Sequence, residues 1–350
     1  MTLQSDILRD LGWSPSYQSQ LDIDEIESLD PARIISVHRS SVDVISAGGE
    51  RRVDTGPDLS SDRLAVGDWV LLNRDPLRLE RLLERQTLLQ RRGAGTARDA
   101  QLIAANVDTL FIVSSCNADF NIARLERYMA LAMQAHVQPV VVLTKADMCD
   151  DSDAYRDRLR GLSPDLISEV VNARDPSAVE RLIPWCGRGQ TVAFAGSSGV
   201  GKSTLSNALT GGNQETQGIR EDDARGRHTT TVRLMQKMDA GGWLIDMPGM
   251  RAVRLLDVEE GVAAVFGDIE ELGASCRFGD CAHSVEPGCA VQAAIDAGEL
   301  DPDRLERWRK LKAEDNRNSA SIAEKRRHSR QLGRIYREAK MESRSRKGGR

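Results

Sequence analysis

The sequence predicts a multidomain chain: an N-terminal all-β barrel, a central α/β domain around a phosphate-binding loop, and a C-terminal α-helical region with a metal-ligand cluster. Three observations predict it. About five short strand-like runs crowd into residues 32–92 between turn residues, the pattern of a small barrel. From residue 102, strands and helices alternate, which implies a mostly parallel sheet with helices on both faces. Beyond residue 257 a helical pattern is interrupted by three cysteines and a histidine within 14 residues. A length of 350 residues accommodates two or three such parts.

Taken in order, residues 1–31 are a polar, acidic extension with a few apolar anchors (Leu8, Leu11, Trp13), read as loosely ordered with one helix. Strands are expected at Ile34–His38, Val42–Ile45, Arg51–Val53, Gly67–Leu72, Arg78–Leu83 and Thr87–Gln90, with a turn at Ala47–Glu50. Residues 91–101 read as a linker. In the α/β domain, 102–256, strands are expected at 109–114, 140–144, 166–171 and 191–195, with helices at 121–135, 154–161 and 177–182. The rest, 257–350, reads as helical around the cysteines.

Composition narrows the classes. With 40% hydrophobic and 29% charged residues, the chain is neither collagen-like, nor disordered throughout, nor a membrane bundle. Its apolar runs, such as Val140–Leu143, are far shorter than the roughly 18 residues that span a bilayer, so no membrane partner is expected. The start, Met1-Thr2-Leu3-Gln4-Ser5-Asp6, has no basic or apolar leader, and the cytoplasm is the expected compartment. In that setting the clustered cysteines read as metal ligands, while Cys116, Cys149 and Cys186 are scattered. The net charge of −5 hides an asymmetry: residues 325–350 carry eleven Lys/Arg against two acids, a net +9 that leaves −14 on the remainder. A basic arm on an acidic body points to a phosphate-rich partner.

Gly196-Ser197-Ser198-Gly199-Val200-Gly201-Lys202-Ser203 matches G-x-x-x-x-G-K-[ST], with a strand before it and a helix from Thr204 after it. The glycines let backbone N–H groups turn toward phosphate oxygens, and the helix N-terminus adds favourable partial charge. Lys202 would bridge the β- and γ-phosphates and Ser203 would ligate Mg²⁺. Thr144-Lys145-Ala146-Asp147 follows a strand and resembles the guanine-specificity motif N-K-x-D: the carboxylate accepts two hydrogen bonds that adenine cannot donate. Thr144 stands where Asn is usual, and the Lys145 stem can cover the base. Asp246-Met247-Pro248-Gly249 resembles D-x-x-G, in which Asp246 holds Mg²⁺ through water and the Gly249 amide meets the γ-phosphate. A threonine of Gly226-Arg227-His228-Thr229-Thr230-Thr231 would complete the Mg²⁺ shell.

Ras-like GTPases run phosphate loop, switch threonine, D-x-x-G, then guanine motif. Here the guanine motif comes first, which the same sheet accommodates by circular permutation. After D-x-x-G, where Ras-like enzymes place a water-orienting Gln, this chain has Met250, so intrinsic hydrolysis is expected to be slow unless His228 or a partner supplies the missing function. Cys276, Cys281, His283 and Cys289 offer three thiolates and one imidazole, a closed set for one structural Zn²⁺.

Together these motifs, with Gly67-Asp68-Trp69-Val70 and Glu286-Pro287-Gly288-Cys289-Ala290-Val291, resemble the circularly permuted, ribosome small-subunit-dependent GTPases of the RsgA (YjeQ) family over about residues 32–315. The resemblance implies an OB-fold barrel, a permuted P-loop GTPase and a zinc domain. It implies GTP hydrolysis stimulated by the small ribosomal subunit and its rRNA during late maturation. It also implies a catalytic role for His228, Mg²⁺ ligation by Thr230 and base contact by Ala173, where Asn172-Ala173 replaces the usual Ser-Ala. A monomer that cycles between GTP and GDP is expected. Arg39, Arg51, Arg52, Arg91 and Arg92 are candidate RNA contacts on the barrel. Two rival readings stay open: an RNA-binding assembly scaffold whose guanine nucleotide is structural, and an ATPase, against which Asp147 argues.

Overall fold

The computed structural model describes residues 2–92, 100–163, 165–212, 234–246 and 258–316. The chain forms two compact units, one comprising residues 1–91, 101–254 and 260–267, the other 92–100, 255–259 and 268–350.

In the first unit, three short helices come first: α1 (Thr2–Asp10), α2 (Pro15–Gln18) and α3 (Ile23–Ser28). The sequence suggested one helix in a loose extension. Instead Leu11 and Tyr17 are buried, and α3 starts in a capping box between Asp22 and Glu25. Five antiparallel strands follow: β1 (Leu29–Val37), β2 (Ser41–Ser46), β3 (Gly49–Asp54), β4 (Trp69–Arg74) and β5 (Leu77–Leu82). Their inward residues, among them Ile34, Val42, Val44, Val53, Val70 and Leu72, share one apolar core. Next come β6 (Leu88–Arg92) and β7 (Ala100–Ala105), which pair as a ribbon. The expected linker 91–101 therefore begins and ends in strand, and β7 was not expected.

The α/β region runs β8 (Thr109–Ser115), α4 (Ile122–Gln134), β9 (Gln138–Thr144), α5 (Ser152–Arg160), β10 (Ser168–Val170), α6 (Pro176–Val179), β11 (Thr191–Ala195), α7 (Lys202–Thr210), β12 (Leu234–Lys237) and β13 (Trp243–Asp246). Strand order is β10-β9-β8-β11-β13-β12, parallel except for β12. All residues of β8 and β11 are buried, as strands covered on both faces require. The chain winds outward from β8 to β9 and β10, then returns to the other side of β8 with β11. That reversal opens a crevice at the carboxyl edge between β8 and β11.

Strand β1 joins the antiparallel strands β2–β5 to the α/β sheet. Its first half pairs with β4, from Leu29↔Asn73 to Arg33↔Trp69; an irregularity between Ile34 and Ser36 follows, and Ser36 then pairs with Leu234 of β12. Beside this joint Arg33, 1% exposed, donates to Leu11 O (2.5 Å), Gly67 O (3.3 Å) and Asn106 O (2.9 Å) and lies 5.7 Å from the Trp69 ring centre. Burial pushes its pKa down to about 10, still charged at neutral pH. Asp68, wholly buried, accepts two bonds from Arg85 (2.6 and 2.7 Å) and one from Ala65 N (2.7 Å). Gly67 is in the left-handed region at φ 93°, and a Cβ there would lie 2.1 Å from Ala105 O. The Gly67-Asp68-Trp69 run thus serves packing.

In the second unit, α9 (Gly267–Ala274) with all but its first residue, α10 (Ala290–Asp296) and a helix at 302–316 surround the cysteine cluster, as the helical expectation implied. Arg304 pairs with Asp268 at 2.7 Å. Between these regions of the chain lies α8 (Glu259–Val265), whose Gly261 N–H donates to Gln134 Oε1 at 3.0 Å. No helix among the described residues is long and apolar enough to cross a membrane.

Replacing Arg33 by Met removes three donors from buried carbonyls while keeping an unbranched apolar stem. The expected loss is on the order of 3 kcal/mol, read as a lower urea midpoint of the tryptophan signal from Trp13 and Trp69. An unchanged midpoint would contradict the anchoring role.

Candidate nucleotide site and metal centre

The parallel strands bring the motifs together. Register pairs Ala195 with Ile112, Ser115 with Thr144, Leu143 with Val170 and Ala193 with Ile245, so the loops after β8, β9, β10, β11 and β13 leave the same edge. On that edge lie the phosphate loop, Thr144 to Asp147, Ala173 and Asp246.

The phosphate loop is shaped by three glycines with positive φ: Gly196 (138°), Gly199 (77°) and Gly201 (99°). At Gly196 a Cβ would sit 2.2 Å from Val113 O, so no larger residue fits against β8. Val200, 2% exposed, anchors the loop in the sheet core, while Ser198, Gly199 and Ser203 are exposed. Thr204 is half-buried in the first turn of α7. Lys202 Nζ donates to Gly196 O (2.8 Å) and to Ser197 O, folding its charge over the loop.

Thr144 is fully buried. Its hydroxyl lies between Ser114 O (3.1 Å) and Val200 O, and so ties the guanine-type turn to the strand end of β8 and to the phosphate loop. Lys145 adopts left-handed φ 58° and ψ 34° and turns the chain into a single 3-10 turn, Ala146–Met148, that carries Asp147 exposed. A non-glycine residue held there is locally strained, a common feature of binding loops. Ala173, partly buried, packs against the core cluster of the α/β sheet, and its neighbour Asn172 accepts from Arg174 N at 3.0 Å. Asp246 ends β13, half-buried, opposite Leu234. His228, Thr230, Gly249 and Met250 lie outside the described residues.

Two side chains at the loop went unseen in the sequence. Arg124, in the first turn of α4, donates through Nη1 to Ser197 Oγ and to the Asp119 carboxylate at 3.1 Å. One turn later the Tyr128 hydroxyl meets the Gly196 backbone, and burial raises its pKa. Neither belongs to a local motif; only the packing of α4 against β8 and β9 puts them there.

In the other unit, the metal-binding atoms of Cys276, Cys281, His283 and Cys289 all lie within 4.8 Å of one another, so this set could hold a metal ion. Cys276 Sγ is 3.5 Å from His283 Nδ1 and 3.9 Å from Cys289 Sγ; Cys289 Sγ is 3.6 Å from the same nitrogen. Burial lowers the His283 pKa, which favours the neutral, ligating imidazole. Backbone amides of Ala290 and Gln292 point at the Cys276 and Cys289 sulfurs at 3.4 and 3.5 Å. Gln292 and Arg309 donate to His283 O and fix its loop. The Glu286 carboxylate accepts from the amides of Ala282, Ser284 and Val285, which holds its pKa down.

Comparison with known proteins agrees with this geometry. Residues 82–256 match the family described as RsgA GTPase. Small ribosomal subunit biogenesis GTPase RsgA 2 of Vibrio parahaemolyticus serotype O3:K6 is 49% identical, covering 98% of this chain and 95% of its own. Small ribosomal subunit biogenesis GTPase RsgA of Mesorhizobium japonicum is 50% identical over 91% of this chain and 93% of its own. Among solved structures, YjeQ from Thermotoga maritima superposes with a TM-score of 0.59 at 26% identity, covering 81% of this chain and 97% of that one. YloQ, described as a circularly permuted GTPase, gives a TM-score of 0.59 at 25% identity over 82% of this chain and 94% of its own. With the phosphate loop and the guanine-type turn gathered on one parallel edge in permuted order, the chain belongs to the RsgA family of circularly permuted GTPases.

Proposed function

We propose that this protein hydrolyses GTP on the small ribosomal subunit, as an assembly factor acting late in maturation. The observation that carries the reading is the convergence of the phosphate loop and the Thr144–Asp147 turn on one sheet edge, tied by the Thr144 hydroxyl. The names of relatives at 49–50% identity support the subunit as partner.

In this reading the amides of Gly196 to Thr204 cradle the phosphates and Lys202 leaves its loop carbonyls for the β- and γ-phosphates. Asp147 accepts from the guanine edge, the Lys145 stem covers the base and Ala173 contacts it. Ser203, Thr230 and Asp246 would hold Mg²⁺, which would supply positive charge against the phosphates. The Gly249 amide meets the γ-phosphate, and His228 positions the attacking water in place of the residue that Met250 cannot supply.

The domains are assigned as extension 1–31, OB-fold 32–92, GTPase 102–256 and zinc domain 257–350. The antiparallel β1–β5 core supports the barrel as an OB-fold that meets rRNA. Arg39 and Arg51 are exposed there, and Arg52 pairs with Asp43 at 2.6 Å. Arg91, bonded to Gln101, is a further candidate contact, and Arg92 and the +9 tail add positive charge in the sequence. The protein acts as a cytoplasmic monomer. Zn²⁺ is the assigned metal. With bonds of about 2.3 Å to sulfur and about 2.0 Å to nitrogen, a tetrahedral ion sets S–S and S–N edges of roughly 3.8 and roughly 3.5 Å. The observed 3.9, 3.5 and 3.6 Å fit those edges, with His283 ligating through Nδ1.

Phosphate release should rise at least about tenfold when purified small subunits are added. Lys202→Ala should abolish most of that turnover. Binding of GTP with no stimulation would favour instead a scaffold whose nucleotide is structural.

Elemental analysis should find one zinc per chain. Cys276→Ser should lose it and release the fold around 276–289 to proteolysis. Full protease resistance after that substitution and chelation would contradict a structural metal.

A further inference from the structure

The phosphate loop is met by a second cation besides Lys202. Arg124 Nη1 donates to the side chain of Ser197, the second residue of the loop, and also contacts both Asp119 carboxylate oxygens, at 3.1 and 3.2 Å. Its helix is a rigid base. Asn121 caps α4 by accepting from Arg124 N at 2.9 Å, Leu125, Tyr128 and Met129 are buried, and the Tyr128 hydroxyl meets Gly196. The guanidinium is more open to solvent: Arg124 and Asp119 side chains are 36% and 43% exposed, a weak surface ion pair that a phosphate group outcompetes. Lys202, in contrast, is held on the Gly196 and Ser197 carbonyls.

The chemistry of the site gives this cation a task. Transfer of the terminal phosphoryl group to water spreads negative charge over its oxygens and the leaving oxygen, and an arginine supplied within the same chain is one established way to stabilise it. Positioning the water, the role assigned above to His228, does not neutralise that charge, so a cation at the loop has a separate task.

We propose that Arg124 is a catalytic residue of this GTPase, exchanging Asp119 for the terminal phosphate of bound GTP and stabilising its charge as the bond to the leaving oxygen breaks. The proposal rests on the hydrolytic reading above and adds the cation to it.

The test uses the full-length chain with Mg²⁺ and either GTP or GDP, with small subunits present. Arg124→Ala should lower kcat at saturating GTP at least about tenfold, while KM for GTP and Kd for GDP stay within about twofold. Arg124→Lys should recover little, because an ammonium lacks the planar fork that grips two oxygens. Asp119→Asn should keep kcat or raise it, since the guanidinium is released. Equal weakening of GTP and GDP with kcat unchanged would make Arg124 a prop of the loop and overturn the proposal, as would wild-type kinetics in Arg124→Ala. Failure of the wild-type chain to hydrolyse GTP would overturn the hydrolytic reading itself, and shows without any variant.

Discussion

The first unit depends on one buried charge. The Arg33 guanidinium reaches the main chain of the N-terminal helices at Leu11, of the barrel at Gly67 and of the strand leading into the α/β sheet at Asn106. A charge so deeply buried is tolerated because carbonyl dipoles replace water on each edge, Trp69 lies near it, and Asp68 and Asp108 sit near enough to offset its desolvation. Asn106 Nδ2 shares the Gly67 carbonyl at 3.0 Å, and Asp108 takes the Thr191 amide at 2.7 Å. The same knot therefore sets where β8 and β11 begin. Those two strands flank the crevice in which the phosphate loop opens, so the position of that loop is coupled to the antiparallel strands β1–β5 through backbone groups.

The N-terminal segment belongs to this construction. Asp10 takes Arg188 through its carboxylate and the Trp243 indole N–H through its carbonyl, the latter at 2.8 Å. Trp13, Tyr17 and Trp69 form an aromatic group with ring centres 4.8 to 5.7 Å apart. Its polar composition suggested a loose extension because only a few anchors are apolar. Those anchors suffice because the segment covers the ends of strands that are already buried, and its own backbone is satisfied by short helices.

Local motifs carried the active centre. A G-x-x-x-x-G-K-S run can be read from spacing because every residue acts through its own backbone or a side chain beside it. The cysteine cluster was legible for the same reason: four ligands within 14 residues close around one point whatever surrounds them. Arg124, Asp119 and Tyr128 were not legible, since their link to the loop exists only after α4 packs against β8 and β9. Nor was the second function of Thr144. As a motif residue it looked like an imperfect Asn, whereas its hydroxyl sits between two carbonyls that come from β8 and from the phosphate loop.

By itself the sequence determined the chemistry: a phosphate loop, a guanine-type turn ahead of it, a D-x-x-G run after it, and a three-cysteine, one-histidine ligand set. It also determined that the order is permuted, because motif order is a property of the chain alone. Tertiary structure decided that β1 changes partner from β4 to β12, that Arg33 is the buried joint and that an arginine from α4 reaches the phosphate loop. The reason is physical. Local chemistry follows from residues a few positions apart, while a strand's partner and a charge's environment depend on segments tens of residues away, which come together only in the folded chain.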